Sequence, residues 1–175
     1  DPEKLLSRKW EIVKEKINIP QNPIMGMYQL LSFLQDQGIP IALASASPRW
    51  YIEKLLEHSI EDKTSFRHPL KNFILKEYCV SAEEVSAGKP APDVFLRAAE
   101  QLNMDPKKCV AIGDGHSDVL GGLRAGMRVI FLSKEAVPQE TVQNLFNGTL
   151  IAFSEGDEVC KFVQEGCNFP REYHA

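Results

Sequence analysis

Three short stretches of this 175-residue chain carry residue types that could act on an anion. Ser45-Ala46-Ser47 directly follows an apolar run and precedes a helix start. Hydroxyls and free backbone N–H groups in that place face the positive end of a helix dipole and form a neutral anion cradle, in which Ser45, Ala46 and Ser47 would take part. Ser47 also reads as the N-cap of the helix, with Pro48 at its first position; capping gives Ser45 no role. Lys89 stands between Gly88 and Pro90 ahead of a second helix start. Its restricted backbone would deliver the ammonium to one place, and such a point charge suits a phosphate oxygen or a developing negative charge. A solvated surface lysine is the alternative. The third stretch, Gly113-Asp114-Gly115-His116-Ser117-Asp118, has two carboxylates four apart after an apolar strand, with glycines beside the first that permit close backbone approach. Magnesium takes oxygen ligands in an octahedron, usually one or two protein carboxylates with waters and substrate phosphate. Asp114 is placed for direct ligation and Asp118 for contact through water, while Ser117 or Asp118 could at the same time cap the next helix.

Other chemistries find no support in the pattern. A dinucleotide loop starting at Gly113 would need glycine or alanine where Asp118 stands. His58, His68, His116 and His174 have no ligand spacing among themselves, so neither a zinc site nor a triad follows. No Gly-x-Ser-x-Gly occurs.

The elements that must position these residues alternate in type. Short apolar runs predict strands over 40–44, 77–81, 109–112, 128–132 and 149–153. Amphipathic spacing predicts helices over 2–17, 24–37, 49–57, 91–102, 118–125, 139–146 and 157–165, with Gly38 and Gly126 as stops. Residues 59–70 carry mixed charge without period and read as a loop or poorly ordered insertion. Strand–helix alternation means an α/β fold with a doubly wound, Rossmann-like parallel sheet and right-handed crossovers. In such a sheet ligands bind beyond the carboxyl ends of the strands, where all three stretches fall.

Composition sets the bounds. With 20 Lys+Arg against 24 Asp+Glu, 43% hydrophobic and 25% charged residues, the chain is of ordinary globular type and acidic by four charges. No dense Lys/Arg cluster supplies the field that nucleic acid or an anionic membrane requires, so neither is expected as a partner. No apolar run reaches the roughly 20 residues that span a bilayer. Residues 1–16 are charged throughout and show no secretion signal. Cys79, Cys109, Cys160 and Cys167 lack Cys-x-x-Cys spacing and read as free thiols of a reducing compartment, cytoplasm or organelle stroma, rather than of a secreted protein.

Taken together, the three strand ends resemble the haloacid dehalogenase (HAD) superfamily of phosphatases, in particular its CbbY-like, β-phosphoglucomutase-like branch. The matching runs are residues 38–47, 84–95 and 109–118, followed by Gly122-Leu-Arg-Ala-Gly-Met127. The run Glu3-Lys-Leu-Leu-Ser-Arg-Lys-Trp-Glu-Ile-Val13 is similar to plant members of this branch, riboflavin-pathway phosphatases among them. The resemblance implies that Ser45 is the hydroxyl that binds the phosphoryl group and Lys89 the third-motif lysine. It implies that Asp114 and Asp118 form the acidic motif that holds Mg²⁺. It also implies that residues 1–20 are a remnant of a helical cap on a core of residues 21–175, and that the substrate is a small phosphorylated metabolite.

The family's first motif is Asp-x-Asp on a central strand, whose first aspartate attacks phosphorus. None of the eight aspartates here pairs with another at that spacing. Magnesium and a lysine stabilise charge but do not replace an attacking carboxylate. The expectation is therefore a Mg²⁺-dependent phosphatase of which this chain is an incomplete part, inactive as written, with the first strand and most of the cap absent. A catalytically degenerate phosphate-binding relative and a phosphosugar mutase are the alternatives. In the family the missing strand lies between the strands ending at Ala44 and Ile112, so the sheet should either leave two rows of backbone polar groups unpaired there or close the gap by pairing those neighbours directly.

Overall fold

The computed structural model describes residues 1–16, 24, 26–61, 67–133 and 150–167. In its strands successive side chains enter different cores, which is what both-faced burial in a parallel sheet requires. Strand β1 (Leu43–Ser45) pairs in parallel with β4 (Cys79–Ser81), with Leu43 opposite Cys79 and Ser45 opposite Ser81. Strands β5 (Val110–Gly113), β6 (Arg128–Leu132) and β7 (Leu150–Phe153) form a second parallel group with β6 in the middle. Along β6, Val129 belongs to one core and Ile130 to another, and both are fully buried.

Helices cover both faces. Helix α4 (Asp93–Gln101) packs on β1 and β4, and α5 (His116–Arg124) on β5 and β6. Their shared core joins Ala44 of β1 with Ala111 of β5, so the two strand groups lie side by side beneath one helical layer. On the opposite face α3 (Arg49–Leu56) buries Ile52 and Leu56 against Cys79, while α2 (Met27–Asp36) and α6 (Gly156–Gln164) bury Leu30, Val159 and Val163 against Ile130 and Leu132. The doubly wound parallel α/β architecture is the one the sequence predicts.

Of the two arrangements expected between the strands of Ala44 and Ile112, the described residues show the open one, since β1 and β5 do not pair with each other. Among the described residues β1 pairs with β4 alone and β5 with β6 alone, so each keeps one open edge. Val110 and Ile112 of β5 are 37% and 39% exposed, although their neighbour Ala111 is buried. Both point to the face opposite Ala111, which is therefore poorly covered along this edge strand.

Several expected boundaries move. Strand β1 starts three residues later than the apolar run and takes in Ser45. The expected loop over 59–70 is regular at both of its described ends: β2 (Ser59–Glu61) and β3 (Arg67–Pro69) pair antiparallel, with Ile60 opposite His68, and a 3₁₀ turn follows at Leu70–Asn72, while residues 62–66 lie outside the described residues. Backbone bonds build this three-residue pair, and His68 packs between Tyr28 and Phe73, so no side-chain period announces it. The predicted helix over 139–146 lies outside the described residues. Gly38, at φ +65°, ends α2 as expected, its N–H bonding Gln35 O at 3.0 Å while Ile39 N–H bonds Leu34 O at 2.9 Å.

Helix α1 (Pro2–Lys16) meets α3 through Trp10, whose ring lies 5.7 Å from Trp50 and 5.6 Å from Tyr51, and through the Lys14 ammonium, 5.1 Å from the Trp50 ring. Its Leu5 and Leu6 are 73% and 53% exposed.

Gly26 seats α2 on α6. At φ +84° it occupies left-handed backbone, and a Cβ there would stand 2.5 Å from Asp157 N. Gly26→Ala combines strain with a backbone clash and is expected to cost about 2–4 kcal/mol. A lowered urea midpoint with unchanged m-value is the reading to look for.

Candidate active site

Short turns at the carboxyl ends of β1, β4 and β5 bring together most of the residues singled out in the sequence. At the end of β1, Ser45 Oγ accepts the Ser47 N–H at 3.1 Å. That bond occupies an oxygen lone pair and leaves the Ser45 hydroxyl proton for another acceptor. Ser47 does not cap α3. The N-cap is Pro48, in extended conformation and without a side-chain bond, and its carbonyl accepts the first N–H bonds of the helix, from Tyr51 and Ile52. Ala46, at the crown of this turn, is exposed.

Lys89 lies on a loop fastened at several points. Ala87 N–H donates to Asp93 Oδ1 at 3.2 Å, Ala91 N–H to Gly88 O at 3.0 Å, and Arg124 Nη1 to Pro90 O at 2.9 Å. The Lys89–Pro90 peptide is cis. The ammonium donates to Asp118 Oδ1 at 2.5 Å and to Ala44 O at 3.1 Å, and it lies 5.6 Å from the Phe95 ring. It is thus no solvated surface lysine: its side chain is 11% exposed and that of Asp118 17%.

Asp118 is inside the first turn of α5, which starts two residues earlier than predicted. Gly115 is the N-cap, and Asp118 Oδ2 accepts its N–H at 3.0 Å. Neither Ser117 nor Asp118 is therefore the cap, as the sequence had allowed; Asp118 reaches back from the third position instead. The glycines around Asp114 make room for this carboxylate. A Cβ on Gly113 would stand 2.4 Å from Asp118 Cβ, and one on Gly115 2.9 Å from Asp118 Oδ2. Asp114 itself is exposed between them. His116, also exposed, rests its ring 5.7 Å from Phe131.

The structure therefore brings the Ser45 strand end, Lys89 and Asp118 into one cluster, with Asp114 on the adjoining turn. Both Asp118 oxygens are engaged within the protein, which leaves Asp114 as the exposed carboxylate. Among the described residues no three His, Cys, Asp or Glu side chains gather as a metal-holding group. The fastening residues that sequence reasoning missed are Arg124, which donates to Pro90 O, Asp93, which accepts the Ala87 N–H, and Ser81. Ser81 had a local signal, a hydroxyl in an apolar strand. Arg124 had none, since its partner Pro90 is 34 positions away.

A doubly wound parallel sheet with Ser45, Lys89, Asp114 and Asp118 gathered at the carboxyl ends of its strands defines the class of domain. The family follows from comparison: the haloacid dehalogenase-like hydrolase model matches residues 3–126, and the chain belongs to that family. It is 37% identical over 116 residues to the bifunctional riboflavin kinase/FMN phosphatase of Arabidopsis thaliana, a match covering 66% of this chain and 27% of the relative. Hexitol phosphatase A of Escherichia coli K12 is 33% identical over 111 residues, 63% of this chain and 46% of that protein. The chain spans less than half the length of these two relatives. A HAD hydrolase of family IA, variant 3, from Entamoeba histolytica superposes with a TM-score of 0.72 at 20% identity, covering 89% of this chain and 66% of that one. At that identity the likeness concerns the fold.

No helix among the described residues is long and apolar enough to cross a membrane. All four cysteines are free thiols, and burial pushes those of Cys79, Cys109 and Cys167 up from the ordinary value.

Proposed function

We propose that these residues are the phosphate-gripping part of a Mg²⁺-dependent phosphatase for small phosphorylated metabolites, working in a reducing compartment, cytoplasm or organelle stroma. The observation that carries this reading is the Lys89 ammonium, which spans from Ala44 O at the end of β1 to Asp118 on α5. An ammonium has three protons. Two are engaged here, and the third remains for a phosphoryl oxygen beside Ser45. The Ser45 hydroxyl donates to the same group, and the amide of exposed Ala46 is the next donor on the turn. These donors favour the charge that develops as phosphorus changes partners.

Asp114 is the residue that would hold Mg²⁺, and its exposed carboxylate suits a hard cation that completes its shell with water and phosphate oxygens. When bound, the ion neutralises phosphoryl charge and orients the transferring group. The attacking carboxylate belongs, by the family resemblance, to an Asp-x-Asp strand. The open edges of β1 and β5 suit such a strand: seated between them, it would pair on both sides and end beside Ser45 and Asp114. Helix α1, with its exposed leucines, is read as part of a cap over this rim, with residues 21–175 as the core.

Titration with inorganic phosphate in the presence of Mg²⁺ tests the grip without needing turnover. The chain is expected to bind phosphate, and Ser45→Ala to bind about tenfold more weakly, the loss of one hydrogen bond to a charged group. A natively folded chain that ignores phosphate would refute the reading.

A further inference from the structure

We infer that Ser81 is a positioning residue that sets the hydroxyl turn against the Lys89 loop; this rests on the phosphate-gripping role proposed above. Ser81 is the last residue of β4, in register with Ser45 across the ladder, and is 0% exposed. The other two residues of the strand, Cys79 and Val80, are apolar and equally buried. A hydroxyl in such a place costs free energy unless both its functions are satisfied. Both are: Oγ donates to Ser47 O at 2.8 Å and accepts the Glu83 N–H at 3.2 Å.

Each of those bonds holds one half of the proposed grip. The first bonds of α3 are accepted by Pro48 O, so the Ser47 carbonyl lies outside the helix ladder, and Ser81 gives it a partner. With Ser47 N–H on Ser45 Oγ and Ser47 O on Ser81 Oγ, the turn is fixed from two directions. The second bond fastens the 3₁₀ turn Ala82–Glu84 that opens the loop to Lys89. The same two segments are joined again where Glu83 Oε2 accepts Arg49 N–H at 2.9 Å, and where the Arg49 guanidinium bonds Glu84 and Cys79 O. Arg49 and the two glutamates lie at the exposed side of this seam, whereas Ser81 is its dry centre. Without that hydroxyl the Ser47 carbonyl and Glu83 amide lose a buried partner, and the distance between Ser45 and Lys89 is no longer set from below.

Two measurements on the chain and its Ser81→Ala and Ser81→Thr variants decide the matter: phosphate affinity, and hydrogen exchange of the Ser47 amide referred to core amides such as Ile130. Ser81→Ala should weaken phosphate about tenfold and speed Ser47 exchange by about the same factor while Ile130 exchange stays near the parent's. Ser81→Thr, which keeps the hydroxyl, should return both values to within about twofold. A purely structural serine would change Ser47 and Ile130 exchange together, and that result, or unchanged Ser47 exchange in Ser81→Ala, overturns the inference. If even the parent chain binds no phosphate, the functional reading fails, and the role of Ser81 as a fastener is still decided by Ser47 exchange. Should Ser81→Ala not fold, Ser81→Cys keeps the volume, weakens both bonds and carries the same expectation.

Discussion

Joined to a segment that supplies an Asp-x-Asp strand, the chain is expected to hydrolyse phosphomonoesters at least about 10³-fold faster than it does alone. The size of the effect follows from what the described residues can and cannot do. Ser45 and Lys89 offer donors to a phosphoryl group, and Asp114 offers oxygen to a cation, but none of them is an attacking group held in line with phosphorus. Nucleophilic catalysis divides the transfer into two easier steps, and deleting the nucleophile from a set of groups that act together removes most of their combined effect. The strand has a place to go, because the facing edges of β1 and β5 both lack a partner among the described residues. Pairing there would also cover Val110 and Ile112, so the extended protein should melt higher than the chain. Turnover of p-nitrophenyl phosphate and a broad ester panel is the assay, with the first aspartate changed to asparagine as control. An extended protein that folds normally yet leaves every ester intact would rule the phosphatase out and favour the degenerate phosphate-binding relative.

Lys89→Met should destabilise the chain by about 3–5 kcal/mol, far more than loss of a surface ion pair. Burial decides this. With both side chains mostly shielded and 2.5 Å apart, removing the ammonium leaves the Asp118 carboxylate in a poorly hydrated place with only the Gly115 amide for company. The Ala44 carbonyl loses its donor at the same time. Pairing Lys89→Met with Asp118→Leu removes both charges and should recover most of the loss, as replacement of a whole buried pair by apolar groups commonly does. Urea titration of the two single variants and the double variant gives the coupling directly. A single Lys89→Met chain within about 0.5 kcal/mol of the parent would show that the pair is as weakly coupled as one at the surface.

What could be read in advance differed by element. Strand β6 matched its apolar run at both ends, since burial on both faces leaves a continuous signature. Gly38 announced the end of α2 because a left-handed residue is needed there. The β2–β3 pair could not be read, because its three-residue strands rest on backbone bonds. The misassigned caps have one cause. Ser47 and Asp118 are both good capping residues by type, yet each is engaged elsewhere: the Ser47 amide by the Ser45 hydroxyl, and Asp118 by Lys89. Propensity ranks local choices, and partners 29 or more positions away in sequence overrule it, as with Lys89 and Asp118. Local spacing located the Ser45 turn and Lys89, but gave no view of Arg124 or of the contacts that fasten the rim.

Among the described residues the two strand groups share no backbone ladder, so their cohesion depends on side chains: the core they share beneath α4 and α5 and a few crossings at the rim. Phe95 of α4 presses on Gly121 of α5 so closely that a Cβ there would come within 2.6 Å of the ring. Arg124 clasps Pro90, and Lys89 links Ala44 to Asp118. Two of these three crossings involve the lysine or its loop. A slight parting of the halves would therefore draw the Lys89 ammonium away from Ala44 or Asp118 while each half kept the hydrogen bonds of its own strands.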